Sequence, residues 1–313
     1  MARTKLFDPA STEPFKVSRN KVEEHVRCPR CSVMNLRYGL KKPSSPPFTL
    51  NSAVDSLLKK EFDVHRLAQT VHPLVAEAGL DLVPFHHPQI DEWRSNFKGI
   101  QFHHERLNLL LTGAVDDIWV NRDGELVVVD YKATAKAEPM TAVPTGGFYD
   151  SYRRQLDFYQ WLLRQRGFKV SKTSYWLYCT GRPGADSFDK SLQFDTHLIA
   201  YESDDAWIEE FLEGMVEDLR SEGLPDSAEA CEHCSYVEKR QELEETYDVG
   251  RFPHCPTCGS MMSRIIYGLP SGPPPPHHVT GGCIVGFDDP KFVCERCSSV
   301  SNRATSFTTA IIE

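Results

Sequence analysis

Between residues 50 and 69, "LNSAVDSLLKKEFDVHRLAQ", the apolar positions fall at helical spacing. Val54, Leu57, Leu58 and Phe62 gather near one face, with His65 and Leu67 one residue off the ideal step, so the pattern predicts an amphipathic helix. Residues 15–40 also read as helical, with Ser18 as N-cap, Gly39 as the stop and Pro29 as a break near two cysteines. "KKPSSPPF" is a loop. Next come two apolar runs, "RLNLLLTGAVDDIWV" and "GELVVVDYKAT", around "NRDG"; the Asp-Gly turn between them predicts a hairpin. A helix over 151–166 carries Leu156, Tyr159 and Leu163 on one stripe and ends at Gly167. "KVSKTSYWLYCT" returns as a strand, "SLQFDTHLIAY" adds another, and an acidic helix covers about 204–221. Helix, hairpin, helix and strand in this order make an α/β domain with a mixed sheet.

The pattern changes after residue 240. Residues 236–250 are charged and read as a linker helix, and 251–313 are rich in Gly, Pro, Ser and Cys, with Pro273–Pro276 an extended loop. This divides the chain into a core over 1–240, a linker over 241–250 and a small module over 251–313. No apolar run is long enough to span a membrane, and the first twenty residues lack a secretory signal's apolar stretch. The expected setting is cytoplasmic.

The net charge of −9 argues at first against a nucleic-acid partner, but it is unevenly spread: residues 201–248 hold 17 acidic against 3 basic residues. Residues 1–42 hold ten basic to four acidic, and local clusters decide phosphate contact. On the 151–166 helix, Arg153, Arg154 and Arg164 are candidate phosphate contacts, unless they only solvate a helix face.

Eight of the ten cysteines occur as C-x-x-C pairs: Cys28/Cys31, Cys231/Cys234, Cys255/Cys258 and Cys294/Cys297. In a cytoplasmic chain this spacing points to metal rather than disulfides. The first two pairs bracket the core like a clasp, and four thiolates suit either Zn²⁺ or a [4Fe–4S] cluster. "HCPTCGS" and "FVCERCSS" read as the two knuckles of a zinc ribbon with an inserted loop, a structural Zn²⁺ site with no open position for water. Cys179 and Cys283 are left over, and His277 and His278 read as solvated.

The end of "LVVVDYK" raises a chemical question. Alternate strand residues share a face, so Asp130 and Lys132 project side by side. Asp116, at the end of the other hairpin run, can join them. Two nearby carboxylates repel, and a divalent cation with oxygen ligands relieves that repulsion. The bland alternative is that Asp116, Asp117 and Asp130 are ordinary strand-end and turn acids, because single motif hits are weak.

"GAVD" (Gly113–Asp116), "DYK" (Asp130–Lys132) and "QLDFY" (Gln155–Tyr159), in that order, resemble the PD-(D/E)XK nuclease superfamily, in particular its RecB-like branch. The resemblance covers about residues 15–240 and implies a restriction-endonuclease-like mixed sheet flanked by helices. It implies Asp116, Asp130 and the Tyr131 carbonyl as Mg²⁺ or Mn²⁺ ligands, Lys132 as the catalytic lysine, and Gln155 and Tyr159 as its neighbours on the flanking helix. RecB-like nucleases place a histidine in a G-x-x-x-H context on the first helix. "NSAVD" stands there instead, giving Asn51 and Asp55, and Asp55 is a candidate further ligand or a solvated helix residue; His65 is a weaker substitute. The cysteine clasp is similar in placement to the iron–sulfur ligands of AddB and of CRISPR-associated adaptation nucleases, which favours [4Fe–4S] there, with Zn²⁺ the alternative. Those relatives divide the ligands one and three, whereas this chain divides them two and two.

Three functions compete. The first is a metal-dependent nuclease acting on DNA ahead of RNA. The second is a non-catalytic adaptor on a nuclease fold, meeting a nucleic-acid or protein partner through the ribbon; the Asp55 departure and the negative charge favour it. An oxidoreductase is disfavoured, because no G-x-G-x-x-G precedes a helix and few thiols remain outside the pairs.

Overall fold

The computed structural model describes residues 5–43, 49–184, 186–187, 189–247, 252–268, 272–283, 286 and 289–301. The chain falls into two compact units, Met1–Glu229 and Ala230–Glu313. Part of the expected loop at 41–48, the linker's last residues 248–250 and the module's residues 302–313 lie outside the described residues.

The first unit opens on a strand, β1 (Phe15–Ser18), where the sequence reading placed the start of a helix. Phe15 and Val17 alternate inward and are buried, and β1 pairs in parallel with Leu109–Thr112. Four residues are too few for period two to stand out against the helical window that follows. That window is divided into α1 (Arg19–Arg27) and α2 (Pro29–Tyr38). Pro29 occupies the first turn of α2, where a missing N–H costs nothing. Gly39, at φ +74°, closes α2 in the left-handed conformation and donates its N–H to Asn35 O.

The next helix, α3 (Thr49–Ala68), buries Leu58, Phe62 and Arg66, while Leu57 and Leu67 stay exposed at 63% and 79%. The buried stripe is therefore narrower than the apolar pattern suggested, and an arginine completes it. α4 (Pro73–Glu77), β2 (Val83–Pro84), α5 (Ile90–Trp93) and β3 (Ile100–His104) lead to β4 (Leu109–Gly113). β3 pairs antiparallel with β4, and its histidines hide its alternation in the sequence.

The first apolar run of the expected hairpin is split. Leu109–Gly113 belongs to a three-stranded sheet in the order β1-β4-β3. After Ala114–Asp116 the chain crosses into β5 (Asp117–Val120), which forms the hairpin with β6 (Leu126–Ala135) around the Asp-Gly turn. Then follow a 3₁₀ turn (Gly147–Tyr149), α6 (Asp150–Gln165), β7 (Thr173–Gly181), β8 (Phe194–Glu202) and α7 (Ile208–Arg220). The main sheet runs β2-β5-β6-β7-β8, with only β6 and β7 parallel, and α6 is their crossover. Leu126 and Val128 of β6 pack with α6 and α7, whereas Val127 and Val129 pack with Leu58, Phe62 and Val75. Burial on both faces explains the unbroken apolar run before Asp130. Gly113 has to be small: a Cβ there would lie 2.8 Å from both Leu162 Cδ1 and Tyr159 Cε1. Among the described residues no helix is long and apolar enough to cross a membrane.

The second unit contains α8 (Glu232–Tyr247), which runs through most of the expected linker. After it come β9 (Ser263–Ile266), β10 (His278–Thr280), β11 (Phe292–Val293) and β12 (Val300–Ser301), in the order β10-β9-β11-β12. The described core of this sheet is small: Phe252, Cys255, Met262, Phe292 and Cys294. His277 is exposed, as expected, and His278 is half-buried; both rings approach Phe252.

Candidate active site

The β5–β6 ladder ends at Asp117 opposite Val129. The next inward amide, that of Tyr131, donates to Asp116 Oδ2 at 2.9 Å, so the carboxylate replaces the missing strand partner. Asp116 and Asp117 point to opposite faces and play different parts. Asp117 is fully buried, paired with Arg66 of α3, and accepts from Ile118 N at 2.8 Å, Trp119 Nε1 at 3.1 Å and the Tyr131 hydroxyl at 2.8 Å. It is a satisfied structural acid that fastens α3 to the sheet. Breaking a buried ion pair leaves its partner uncompensated, so Asp117→Ala is expected to cost about 3–5 kcal/mol of stability in a denaturant titration.

Asp130 is also fully buried, but neither of its oxygens accepts a hydrogen bond of good geometry; its Oδ2 is in ion-pair contact with Lys132. Lys132 Nζ donates to Gln155 Oε1 at 3.1 Å and lies 4.4 Å from the Tyr152 ring centroid. Gln155 Nε2 in turn donates to the Tyr159 hydroxyl at 3.2 Å. The i,i+4 spacing on α6 makes this chain possible. Burial raises the Tyr159 phenol and keeps it neutral.

A quarter of the Asp116 side chain still meets solvent, at 26%. Its carboxyl is pushed up to about 7, first by loss of hydration and then by the charge of Asp130; Lys132, Lys59 and the Tyr131 amide pull the other way. Asp55 on α3 is raised by burial and by Asp116. Its Oδ1 is buried without a hydrogen bond, while its Oδ2 takes Lys59 Nζ at 2.9 Å. Asn51, one turn earlier, donates to Ala133 O at 2.9 Å and ties the start of α3 to the end of β6. Asp55 thus shares the site's charge with Asp116, whereas His65 is turned to Thr70 Oγ1 at 2.9 Å.

Sequence reasoning missed Lys59, whose ammonium stands between Asp55 and Asp116, 3.7 Å from Asp116 Oδ1. Its only signal was its place four residues after Asp55. It also missed Arg19 at the start of α1, which is largely buried, feels the Asp130 charge and donates to Ser151 O. The arginines expected on α6 are already paired: Arg153 with Asp150, Arg154 with Glu23 and Arg164 with Asp205. They brace α6 rather than offering open phosphate contacts. Three clustered carboxylates, of which Asp55 and Asp130 have buried oxygens without a hydrogen bond, fit a hard divalent cation such as Mg²⁺ or Mn²⁺.

Among the described residues the cysteines form no disulfide. Ligand atoms of Cys255, Cys258, Cys294 and Cys297, the second expected quartet, lie within 4.8 Å of one another. In the second quartet Cys255 and Cys297 Sγ are 3.4 Å apart, and Cys258 and Cys294 Sγ 3.5 Å. A tetrahedral Zn²⁺ with Zn–S bonds of about 2.3 Å has sulfur edges of roughly 3.8 Å, so only a slight opening is required. The two knuckles have the same turn: Gly259 N donates to Cys255 O at 2.9 Å, and Ser298 N to Cys294 O at 2.7 Å. The residue after the second cysteine is left-handed in both, Gly259 at φ +72° and Ser298 at φ +60°. Cys179 packs in the sheet core, and Cys283 lies outside both quartets.

This fold, with an acid pair and a lysine at the open end of the hairpin, has a counterpart among known families. The family model of the PD-(D/E)XK nuclease superfamily matches residues 19–238, and the chain belongs to that superfamily. Its members are generally metal-dependent nucleases. No curated protein matches the chain in sequence.

Proposed function

We propose that this chain hydrolyses DNA phosphodiester bonds as a Mg²⁺- or Mn²⁺-dependent deoxyribonuclease of the RecB-like branch. The observation that carries the reading is Asp130, fully buried, with Oδ1 lacking a hydrogen bond and Oδ2 against a lysine already oriented by Gln155 at 3.1 Å. In this reading Asp116, Asp130 and Asp55 hold the cation together with the Tyr131 carbonyl. A strand residue's N–H and C=O face the same antiparallel neighbour, so the Tyr131 amide bond to Asp116 supports its carbonyl as a donor on that side. When bound, the cation polarises the phosphodiester and eases ionisation of the attacking water.

Lys132 has three N–H donors. One meets Gln155 and another faces Asp130, which leaves a third for the attacking water or for charge developing on the phosphoryl oxygens. The Gln155 amide keeps its oxygen toward Lys132 because its nitrogen is used by Tyr159. Lys59 balances Asp55 and Asp116 until the cation replaces it.

Asp116 couples this site to pH. Its carboxyl lies at about 7 when folded, above the ordinary carboxylate range, so the metal-free protein loses stability as pH rises from about 4 to about 7. Cation capture needs the ionised form, and protons compete below about 7. The test is cleavage of linear DNA with Mn²⁺ across about pH 5.5 to about 8.5. The rate is expected to climb with pH up to about 7, then level off, and to vanish on chelation. Cleavage indifferent to added or removed divalent cation contradicts the proposal.

The first cysteine quartet, in the same reading, holds a [4Fe–4S] cluster, with Zn²⁺ the alternative, and the second holds Zn²⁺. Iron, sulfide and zinc contents after anaerobic purification decide between them. A reducing cytoplasmic setting suits eight metal-bound thiolates.

A further inference from the structure

The excess of ten basic over four acidic residues within 1–42 is used by no step of the proposed hydrolysis. In the fold, part of it gathers at two neighbouring cavities, of about 290 and about 250 Å³, which share Ser18 at the end of β1. Lys5, Lys16 and Lys21 line the first, around Phe15. Arg19, Asn20, Asn96, Lys98, Thr112 and Tyr159 line much of the second. Among the described residues no carboxylate lines either cavity.

The acids nearby do not balance these cations. Glu13 pairs with Lys5, and Glu92 stands 3.7 Å from Lys98. Glu23 is held by Arg154 at 2.9 Å and by Arg27 at 3.2 Å, and lies 3.9 Å from Arg19, so three guanidiniums share one carboxylate. Lys16 Nζ donates to a neutral carbonyl, Phe97 O, at 2.9 Å, and Lys21 Nζ to Lys16 O at 3.0 Å. Burial, followed by the charges of Lys41 and Lys16, holds the Lys21 ammonium below the usual lysine range, with Glu24 pulling the other way. Cations that crowd one another in this way suit a polyanion.

This face is fastened to the acid site. Gly99 (φ +69°) closes the segment 94–99 against β4, where a Cβ would come 2.6 Å from Gly113 O. Gly113 lies three residues before Asp116, and Tyr159 ends the hydrogen-bonded chain from Lys132 through Gln155. The bond from Lys16 to Phe97 O ties the same segment to β1. Lys16 and Lys98 are both exposed, yet the backbone that carries them is held in place relative to the acids.

We infer that the face formed by Lys16, Arg19, Lys21 and Lys98 carries the backbone of the DNA strand beyond the phosphate that reacts at Lys132, the strand passing Tyr159 on its way. This rests on the nuclease reading and adds the side of the protein on which the substrate lies. Phosphate contacts fix register and carry no sequence information, so the face supplies affinity and leaves the chemistry to the acids and Lys132.

The test reads binding without cleavage, as the affinity of Asp130→Asn protein for a labelled DNA oligonucleotide while salt is raised. Adding Lys16→Ala and Lys98→Ala removes two phosphate contacts at exposed positions. The slope of log affinity against log salt is expected to flatten by about 1.4 on a single strand and by about 1.8 on a duplex. Arginine at both positions keeps the slope. Lys169→Ala, a loss of charge beside the Asp-Gly turn, leaves it unaltered. An unaltered slope in the Lys16→Ala, Lys98→Ala protein, or an equal flattening by Lys169→Ala, overturns the inference. If folded, metal-loaded wild type cuts no DNA while the slope flattens as expected, the nuclease reading fails and the face stands as a nucleic-acid surface. If wild type cuts and the slope does not change, the face fails and the nuclease reading stands.

Discussion

Asp130→Asn is expected to lower cleavage by at least on the order of a thousandfold while the protein stays folded. The side chains are nearly the same size, and the position lies inside β6 with β7 paired alongside, so the backbone has no reason to move. What changes is charge. In the metal-free protein the Asp130 carboxylate is desolvated, lacks hydrogen bonds and helps push Asp116 up to about 7. Its removal relieves that cost and brings Asp116 down. Against this, Lys132 loses an ion pair but keeps Gln155. The two effects oppose, and buried ion pairs contribute little net stability, so the melting temperature should shift by only a few degrees. Activity does not share this balance, because a carboxamide cannot replace the charge that a divalent cation needs. Calorimetric Mn²⁺ titration should therefore show the affinity lost along with the rate. A variant that cuts at the wild-type rate would put the acid pair outside the chemistry.

The second large effect concerns the small unit. Cys294→Ser is expected to cost this unit its zinc and its fold together. Its described core holds five residues, two of them cysteines, and β11 and β12 have two residues each. So little apolar burial cannot offset the entropy of ordering the chain, whereas a structural Zn²⁺ contributes about 10–16 kcal/mol of apparent binding energy. Zinc release measured with a chromogenic chelator, followed by limited proteolysis, checks this. The variant should bind one zinc fewer than wild type and be cut within 252–301, while 5–229 stays protected. A protected, zinc-free small unit would show that its hydrophobic core suffices.

The site was legible in the sequence where one element supplies the geometry. Asp130 and Lys132 follow from strand alternation, and Gln155 and Tyr159 from one helical turn. The Asp-Gly turn correctly joined β5 to β6. What stayed hidden depends on contacts between distant segments. β1 is a strand because β4 lies beside it, not because four residues insist on it. The break at Ala114–Asp116 exists because two sheets share one apolar run, and Gly113 marks where that run passes close to α6. Arg154 looked available until Glu23, from α1, met it. Asp116 and Asp117 are adjacent acids in the sequence. Only the register of β5 decides that Asp117 goes to Arg66 and Asp116 to the open end of the hairpin. Lys59 could be suspected from its spacing to Asp55, but its approach to Asp116 required α3 to be docked.

The most direct measurement is cleavage of end-labelled single-stranded DNA in Mn²⁺ by anaerobically purified wild-type protein beside Asp130→Asn. Metal-dependent shortening of the label by wild type, absent in the variant, is the predicted result. Intact label after incubation with folded, metal-loaded wild type would contradict the nuclease account and turn attention to an adaptor working through the zinc-ribbon-like unit.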